Sequence, residues 1–249
     1  MAEKILEVSD LCVSYECARK TPFEKKKSIQ VLKEVSFSME KGEILGLVGE
    51  SGSGKTTLAR AILGMIPYEG TIIKTIENPQ MVFQDPYGSL NPSKKVGWIL
   101  EEPLRLKGGY TDEERHEKVV AMLHMVGLDE KFMDRYPRQL SGGQRQRVCI
   151  AGALMLEPKL LIADEPVSAL DVTIQAQILE LLQRIHKEMD LSIIFISHDL
   201  RVVYQMCDTV MIMKDGQIVE RGTVEEVYFN HKSEYTGNLL QSAGIDINS

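Results

Sequence analysis

Residues 49–56 read Gly49-Glu50-Ser51-Gly52-Ser53-Gly54-Lys55-Thr56, a complete G-x-x-x-x-G-K-[ST]. Each residue type suits a phosphate. The glycines let backbone N–H groups turn inward with no Cβ in the way. The helix that the loop opens contributes free N–H groups and the positive end of its dipole. Lys55 can neutralise β- and γ-phosphates, and the Thr56 hydroxyl, followed by Thr57, can ligate Mg²⁺. A plain glycine turn before a helix is the bland alternative. The full motif, set between a buried strand and a helix, weighs against it. A second set of groups follows the apolar run Leu160 to Ala163, which ends in Asp164 and Glu165. A buried strand that delivers carboxylates at its C-terminal end places them where open α/β sheets bind ligands. Asp164 can hold Mg²⁺ directly or through water, and Glu165 can polarise an attacking water. Alone, such an acidic pair would read as surface salt-bridge partners. Behind a phosphate loop it reads as the hydrolytic half of a nucleoside-triphosphate site.

The elements that must position these groups are legible as hydrophobic patterns. Ile44 to Val48 and Leu160 to Ala163 are short continuous apolar runs, the mark of strands buried on both faces, and Ser192 to Ser197 is a third. Thr56 to Met65 has helical apolar spacing, and Ile174 to Met189 is an amphipathic helix. Alternation over Ile5 to Tyr15, with a turn expected at Ser9-Asp10, and over Val31 to Glu40 predicts an antiparallel β start. Residues 70–83 return to β character, and Asp85 to Asn91 is turn-rich. Helical patterns follow to about residue 127, one opening at the acidic, capped Thr111-Asp112-Glu113-Glu114, and Gly142-Gly143 opens another through Glu157. Val210 to Glu220 forms a hairpin about Lys214-Asp215-Gly216, and the polar tail from His231 to Ser249 is expected to be partly loose. Buried strands alternating with helices imply an α/β core with a mainly parallel sheet. The expected division of the single domain 1–249 is a core of 1–86 and 159–230, a helical insertion of 87–158 and a tail of 231–249.

Composition bounds the function. The chain has 249 residues, 43% of them hydrophobic, and a formal net charge of −7. That length fits one large domain or two intimate ones. The acidic balance argues against non-specific nucleic-acid binding, which wants a basic face. No run of about 18 uncharged apolar residues could span a bilayer, and residues 1–10 lack the apolar stretch of a secretory signal. Cys12, Cys17, Cys149 and Cys207 are scattered, which fits a reducing cytosol better than a disulfide or zinc framework.

Leu140-Ser141-Gly142-Gly143-Gln144 is the LSGGQ signature of ATP-binding cassette (ABC) ATPases, and the chain resembles that family from about Ile5 to Gly222 in the order and spacing of its motifs. The resemblance implies a P-loop NTPase (RecA-like) core with an antiparallel β subdomain and a helical insertion. It implies ATP as substrate, Mg²⁺ as its counter-ion, and a head-to-tail dimer in which Ser141, Gly142, Gly143 and Gln144 of one protomer cap the γ-phosphate held by the other. Physically, Ser141 and the following N–H groups at a helix start make an anion site. By position, Tyr15 resembles the aromatic residue that stacks on adenine. Gln84 resembles the glutamine that reaches Mg²⁺ and the lytic water, Asp171 belongs to the segment that contacts the opposite protomer, and His198 resembles the histidine that bonds the γ-phosphate. The implied catalytic set is Glu165, His198, Lys55 and Gln84, with Thr56, Gln84 and Asp164 on the metal.

Family members of this kind sit beneath membrane subunits. The resemblance therefore implies two permease subunits, a separate solute-binding protein, a second cassette of the same or a related chain, no nucleic acid, and a place on the cytoplasmic face of the membrane. The resemblance places contact with the permeases on the helical insertion and the loop from Gln84 through Trp98, where Leu90, Val96, Trp98, Ile99 and Leu100 stand out. Gln84 to Pro92, Glu165 to Gln177 and the tail His231 to Leu240 resemble the oligopeptide, dipeptide and nickel importer branch. The basic insertion Arg19 to Lys27 looks more like the second of that branch's two ATPases. It also reads as a solvated charge run or a contact for anionic lipid. Two departures are visible: the tail carries no cysteine cluster for an iron–sulfur centre, and Gly152 stands where many members have Arg. A soluble ABC ATPase outside transport, a non-hydrolysing regulatory subunit and an exporter cassette, commonly fused to a membrane domain, are the rival readings. The first would bring coiled-coil insertions or cassette duplication, and the second sits badly with intact Glu165 and His198.

Overall fold

The computed structural model describes residues 3–16 and 28–245. The chain forms two compact units, one of Met1–Ile76 with Ile194–Ser249 and one of Glu77–Ile193. The segment 87–158, expected to form a helical insertion, lies within the second unit together with strands and a helix on either side of it. The basic insertion Arg19 to Lys27 lies outside the described residues.

The first unit opens with β1 (Lys4–Glu16), β2 (Ser28–Glu40), β3 (Ile44–Val48), α1 (Lys55–Ile62) and β4 (Glu69–Lys74). β1 lies between β2 and β4, antiparallel to both. The turn expected at Ser9-Asp10 is a bulge instead. The strand continues through it, Asp10 takes φ 50° with its N–H donating to Ser36 Oγ at 2.8 Å, and the register shifts between Val8 and Leu11. One extra residue lets Val8 and Leu11, three apart, both point into the core.

The second unit runs through β5 (Gln80–Val82), α2 (Pro86–Ser89), α3 (Val96–Lys107), α4 (Asp112–Met125), two 3₁₀ turns, α5 (Gly142–Leu154), β6 (Leu160–Asp164) and α6 (Val172–Met189). β5 pairs with β6 in parallel, Val82 opposite Ala163. α4 starts on a capping box of Thr111 and Glu114, as its sequence suggests. α5 stops at Leu154 and not at Glu157. Glu157 adopts φ 51° and Pro158 follows, a pairing that ends helices. The chain returns to the first unit within β7 (Ser192–Ile196), every residue of which is buried.

The first unit is completed by α7 (Leu200–Met206), β8 (Thr209–Lys214), β9 (Gln217–Thr223), α8 (Val224–Phe229) and α9 (Glu234–Ser242). β8 runs parallel to β3 and antiparallel to β9. Positive φ at Asp215 and Gly216 makes the β8–β9 connection a type I′ turn, whose twist matches the strands it joins. Within the tail expected to be partly loose, Glu234–Ser242 form α9. Thr223 and Glu226 cap α8, Tyr228 donates to Leu200 O at 2.6 Å, and Thr236 and Leu240 of α9 are fully buried.

Candidate active site

The phosphate loop sits in the first unit. At Gly49 a Cβ would stand 2.2 Å from Met213 O, and Gly54 holds φ 107° as the last residue before α1. Neither position admits a side chain, so the loop can wrap tightly around its own lysine. Lys55 is 8% exposed, and its Nζ donates to Gly49 O at 2.8 Å and Glu50 O at 2.9 Å, with Ser53 Oγ at 3.5 Å. The ammonium is thus already desolvated and centred in the loop, where its charge acts most strongly on an anion. Thr56 and Thr57, the second and third residues of α1, are half-buried. Behind the loop, Gly216 N donates to Ser53 O at 3.1 Å, so the β8–β9 turn braces it.

Two further expected residues belong to this unit. His198 is exposed in the short link between β7 and α7. Its neighbours pin that link. Ser197 N donates to Leu47 O at 3.3 Å, Asp199 N to Ser197 Oγ at 3.0 Å, and Arg201 N to Asp199 Oδ1 at 2.9 Å, capping α7. Tyr15 closes the far end of β1 opposite Ile29, and both are exposed.

The second unit brings the carboxylates and Gln84 together. Two residues beyond the Val82–Ala163 pair, Gln84 Nε2 donates to Glu165 Oε2 at 2.9 Å. The parallel register of β5 and β6 carries on past both strands, which is why residues 81 positions apart meet. Glu165 adopts φ 46°, a left-handed turn that carries the chain off the end of β6. Asp164, the last residue of β6, is 5% exposed. The bond from Nε2 leaves Gln84 Oε1 as that amide's oxygen donor.

Ser141 is the N-cap of α5. Its Oγ accepts from Gln144 N at 3.3 Å while its own N–H donates to Gln144 Oε1 at 2.9 Å. Capping does not use up the hydroxyl, because an accepting hydroxyl still has its proton to donate. Gly142 and Gly143 form the first turn. Asp171 caps α6 through Ile174 N at 3.0 Å.

Sequence reasoning did not single out Arg145. Only 6% exposed, it lies with its guanidinium 3.6 Å from the Tyr87 ring centroid, donates to the Tyr87 hydroxyl, and donates to Pro137 O at 3.2 Å. One turn on, Cys149 Sγ lies 3.8 Å from Pro86 O, and burial pushes its thiol pKa up to about 12. The segment after Gln84 is therefore fastened to the signature helix. Only the i, i+4 spacing of Arg145 and Cys149 hinted that they share a face. Of the apolar residues expected to meet permeases, Leu90, Val96 and Leu100 are interior, while Trp98 and Ile99 are half-buried. Trp98 is flanked by Lys94 and Arg105 at 4.5 and 5.5 Å.

The first unit holds a lysine-centred phosphate loop, and the second holds strand-end carboxylates. The sequence pattern described as ABC transporter matches residues 32–168. The chain is 46% identical over 245 residues to the dipeptide transport ATP-binding protein DppF of Haemophilus influenzae, covering 92% of this chain and 75% of that protein. It is 44% identical over 262 residues to the oligopeptide transport ATP-binding protein OppF of Escherichia coli, covering 97% and 78%. Its fold superimposes on the ATP-binding cassette MJ0796, a dimeric post-hydrolysis structure bound to ADP and Pi. The TM-score is 0.76 at 29% identity, covering 88% of this chain and 99% of that one. The chain belongs to the ABC transporter family. Among the described residues no helix is long and apolar enough to cross a membrane.

Proposed function

We propose that this ATPase powers import of a peptide or a related small solute through two partner membrane permeases, fed by a separate solute-binding protein and working at the cytoplasmic face of the membrane as a head-to-tail dimer with itself or a related cassette. The observation that carries the hydrolytic part is the Gln84–Glu165 pair at 2.9 Å beside the buried Asp164. The peptide transport relatives support the importer part.

In this reading Lys55 neutralises the β- and γ-phosphates and the loop N–H groups of Gly49 to Thr56 orient them. Thr56, Asp164 and Gln84 Oε1 offer only hard oxygen donors, a set that suits Mg²⁺. Bound Mg²⁺ supplies neutralisation of charge on the phosphate oxygens. Glu165 takes a proton from the attacking water, and the bond from Gln84 holds its carboxylate in place. His198 and the partner protomer's signature serine, in the position Ser141 holds here, bond the γ-phosphate. Tyr15 stacks on the adenine, and Asp171 lies at the contact with the other cassette. No covalent intermediate is needed, since positioning and charge do the chemistry. Closure of the dimer on ATP then shifts the permeases between two states.

The test is uptake of a labelled dipeptide by cells lacking this chain, complemented with the wild type or with Glu165→Gln. Uptake restored by the wild type alone supports the reading. Copurification with ribosomes or DNA in place of permeases, with uptake unaffected by deletion, refutes it. Nickel uptake in place of dipeptide uptake would correct the solute.

A further inference from the structure

Within the second unit, the segment that follows Gln84 has little slack. Asp85 caps α2, its Oδ1 accepting from Tyr87 N at 2.9 Å. The Asp85 carbonyl accepts from Ser89 N at 3.2 Å and from Ser89 Oγ at 2.6 Å. Pro86 is buried at the start of the turn and fixes its own φ. A Cβ on Gly88 would stand 2.7 Å from Asp85 Oδ2, so glycine there lets the capping carboxylate lie against the turn. Gln84 and Tyr87 are therefore joined by two residues that cannot adjust independently. Tyr87 is the outer end of this block. Its side chain is 66% exposed, yet the Arg145 guanidinium sits 3.6 Å from the ring centroid and Arg145 Nη2 donates to the hydroxyl. Arg145 is itself pinned. Its Nη1 donates to Pro137 O at 3.2 Å, and its backbone N–H donates to Ser141 O at 2.9 Å in the first turn of α5.

A tyrosine this exposed gains little by burial, so its contacts with Arg145 serve placement more than the core. Stacking sets the distance of the ring from α5, and the charge-assisted hydrogen bond stops the ring from sliding. The other end of the block is Gln84, whose Nε2 donates to Glu165 Oε2 at 2.9 Å. We infer that Arg145 and Tyr87 are positioning residues for Gln84: through the turn of residues 85–89 they tie it to α5 and so hold it at bonding distance from Glu165. Both act through Gln84. Ser141 caps the same helix one turn before Arg145. The group proposed to meet a partner's γ-phosphate and the group that holds Glu165 are thus carried by one piece of structure. The inference rests on the proposed place of Gln84 and Glu165 at the reaction centre.

The full chain carries the test. Tyr87→Phe keeps the exposed ring beside Arg145 and deletes only the accepting oxygen, so the fold survives it. In the nucleotide-free protein, hydrogen exchange across residues 84–90 should quicken while exchange in β6 stays as in the wild type. At saturating ATP, kcat should fall roughly threefold to tenfold, the effect of one hydrogen bond, with MgADP affinity within about twofold of wild type. A double-mutant cycle with Gln84→Ala then separates placement from general loosening. Because Tyr87 acts through Gln84, Tyr87→Phe should cost no further rate once residue 84 is alanine. Tyr110→Phe alters a second cation–ring pair of this unit, with Lys118 Nζ 5.6 Å from the ring centroid, and should leave exchange across 84–90 and kcat unchanged. Losses that multiply in the double variant overturn the inference, as does wild-type exchange across 84–90 in Tyr87→Phe, or an equal loss in Tyr110→Phe. If Gln84→Ala lowers kcat and Tyr87→Phe does not, the inference alone falls. If Gln84→Ala leaves kcat at the wild-type value, the reading of the reaction centre falls with it.

Discussion

Replacing Glu165 by Gln isolates its chemistry from its placement. The side chain keeps its length, and the new amide oxygen can accept the same bond from Gln84 that Oε2 accepts at 2.9 Å. The backbone cost does not change either, because Gln and Glu tolerate the φ of 46° about equally. What disappears is the basic oxygen that, in the proposed mechanism, takes the water's proton. Removing a general base of this kind costs about 10²- to 10⁴-fold in rate, or roughly 3–5 kcal/mol of barrier. The assay is Mg²⁺-dependent phosphate release at saturating ATP, with MgADP affinity and thermal midpoint measured alongside. The expected variant binds nucleotide within about threefold of wild type, unfolds at the same temperature, and accumulates as an ATP-bound dimer on size exclusion. Gln84→Ala, which leaves the carboxylate but removes its holder, should lose less rate than Glu165→Gln. A Glu165→Gln rate within tenfold of wild type would refute the assignment, and so would a loss explained entirely by weaker binding.

Other residues give sharp expectations. Gly152→Ala should stabilise the protein by about 0.5–1 kcal/mol in chemical denaturation, since the helix gains and the new Cβ meets only Leu100 Cδ2 at 3.8 Å. Tyr87→Phe should cost about 1 kcal/mol or less by losing the hydroxyl that Arg145 meets. Arg145→Met should cost roughly 1–3 kcal/mol, because Pro137 O loses its donor too; equal losses would break the argument. Burial raises the thiols of Cys149 and Cys207, so at pH 7.5 both should resist iodoacetamide in the native protein and react after denaturation, as peptide mass mapping would read.

The parts of the fold that sequence shows best are those where one local pattern decides the outcome. β3 and β6 are unbroken apolar runs because both faces are covered, and the phosphate loop is written in contiguous residues. α7 and α8 are too short, at seven and six residues, for their periodicity to stand out. α9 is polar along most of its length and is held by a few buried side chains, so it reads as a loose tail. The Ser9-Asp10 pair signals a turn, yet cross-strand pairing on both sides of β1 absorbs it as a bulge. In the site, each residue type is legible but its partner is not. Glu165 meets Gln84 through strand register, and Arg145 meets Tyr87 through helix packing, neither of which is a local property.

The cap on α5 has a consequence for which residues position 141 can hold. As helix caps, Asp and Asn serve about as well as Ser. Aspartate, however, has no proton to give and would bring a negative charge to the spot where the proposed mechanism puts a phosphate. Serine caps with its lone pair and keeps its hydrogen in reserve. Capping alone therefore leaves position 141 open to Asp, Asn or Ser, and the proposed phosphate contact narrows that choice to serine. A Ser141→Asp variant should melt close to the wild-type temperature and still hydrolyse ATP more slowly.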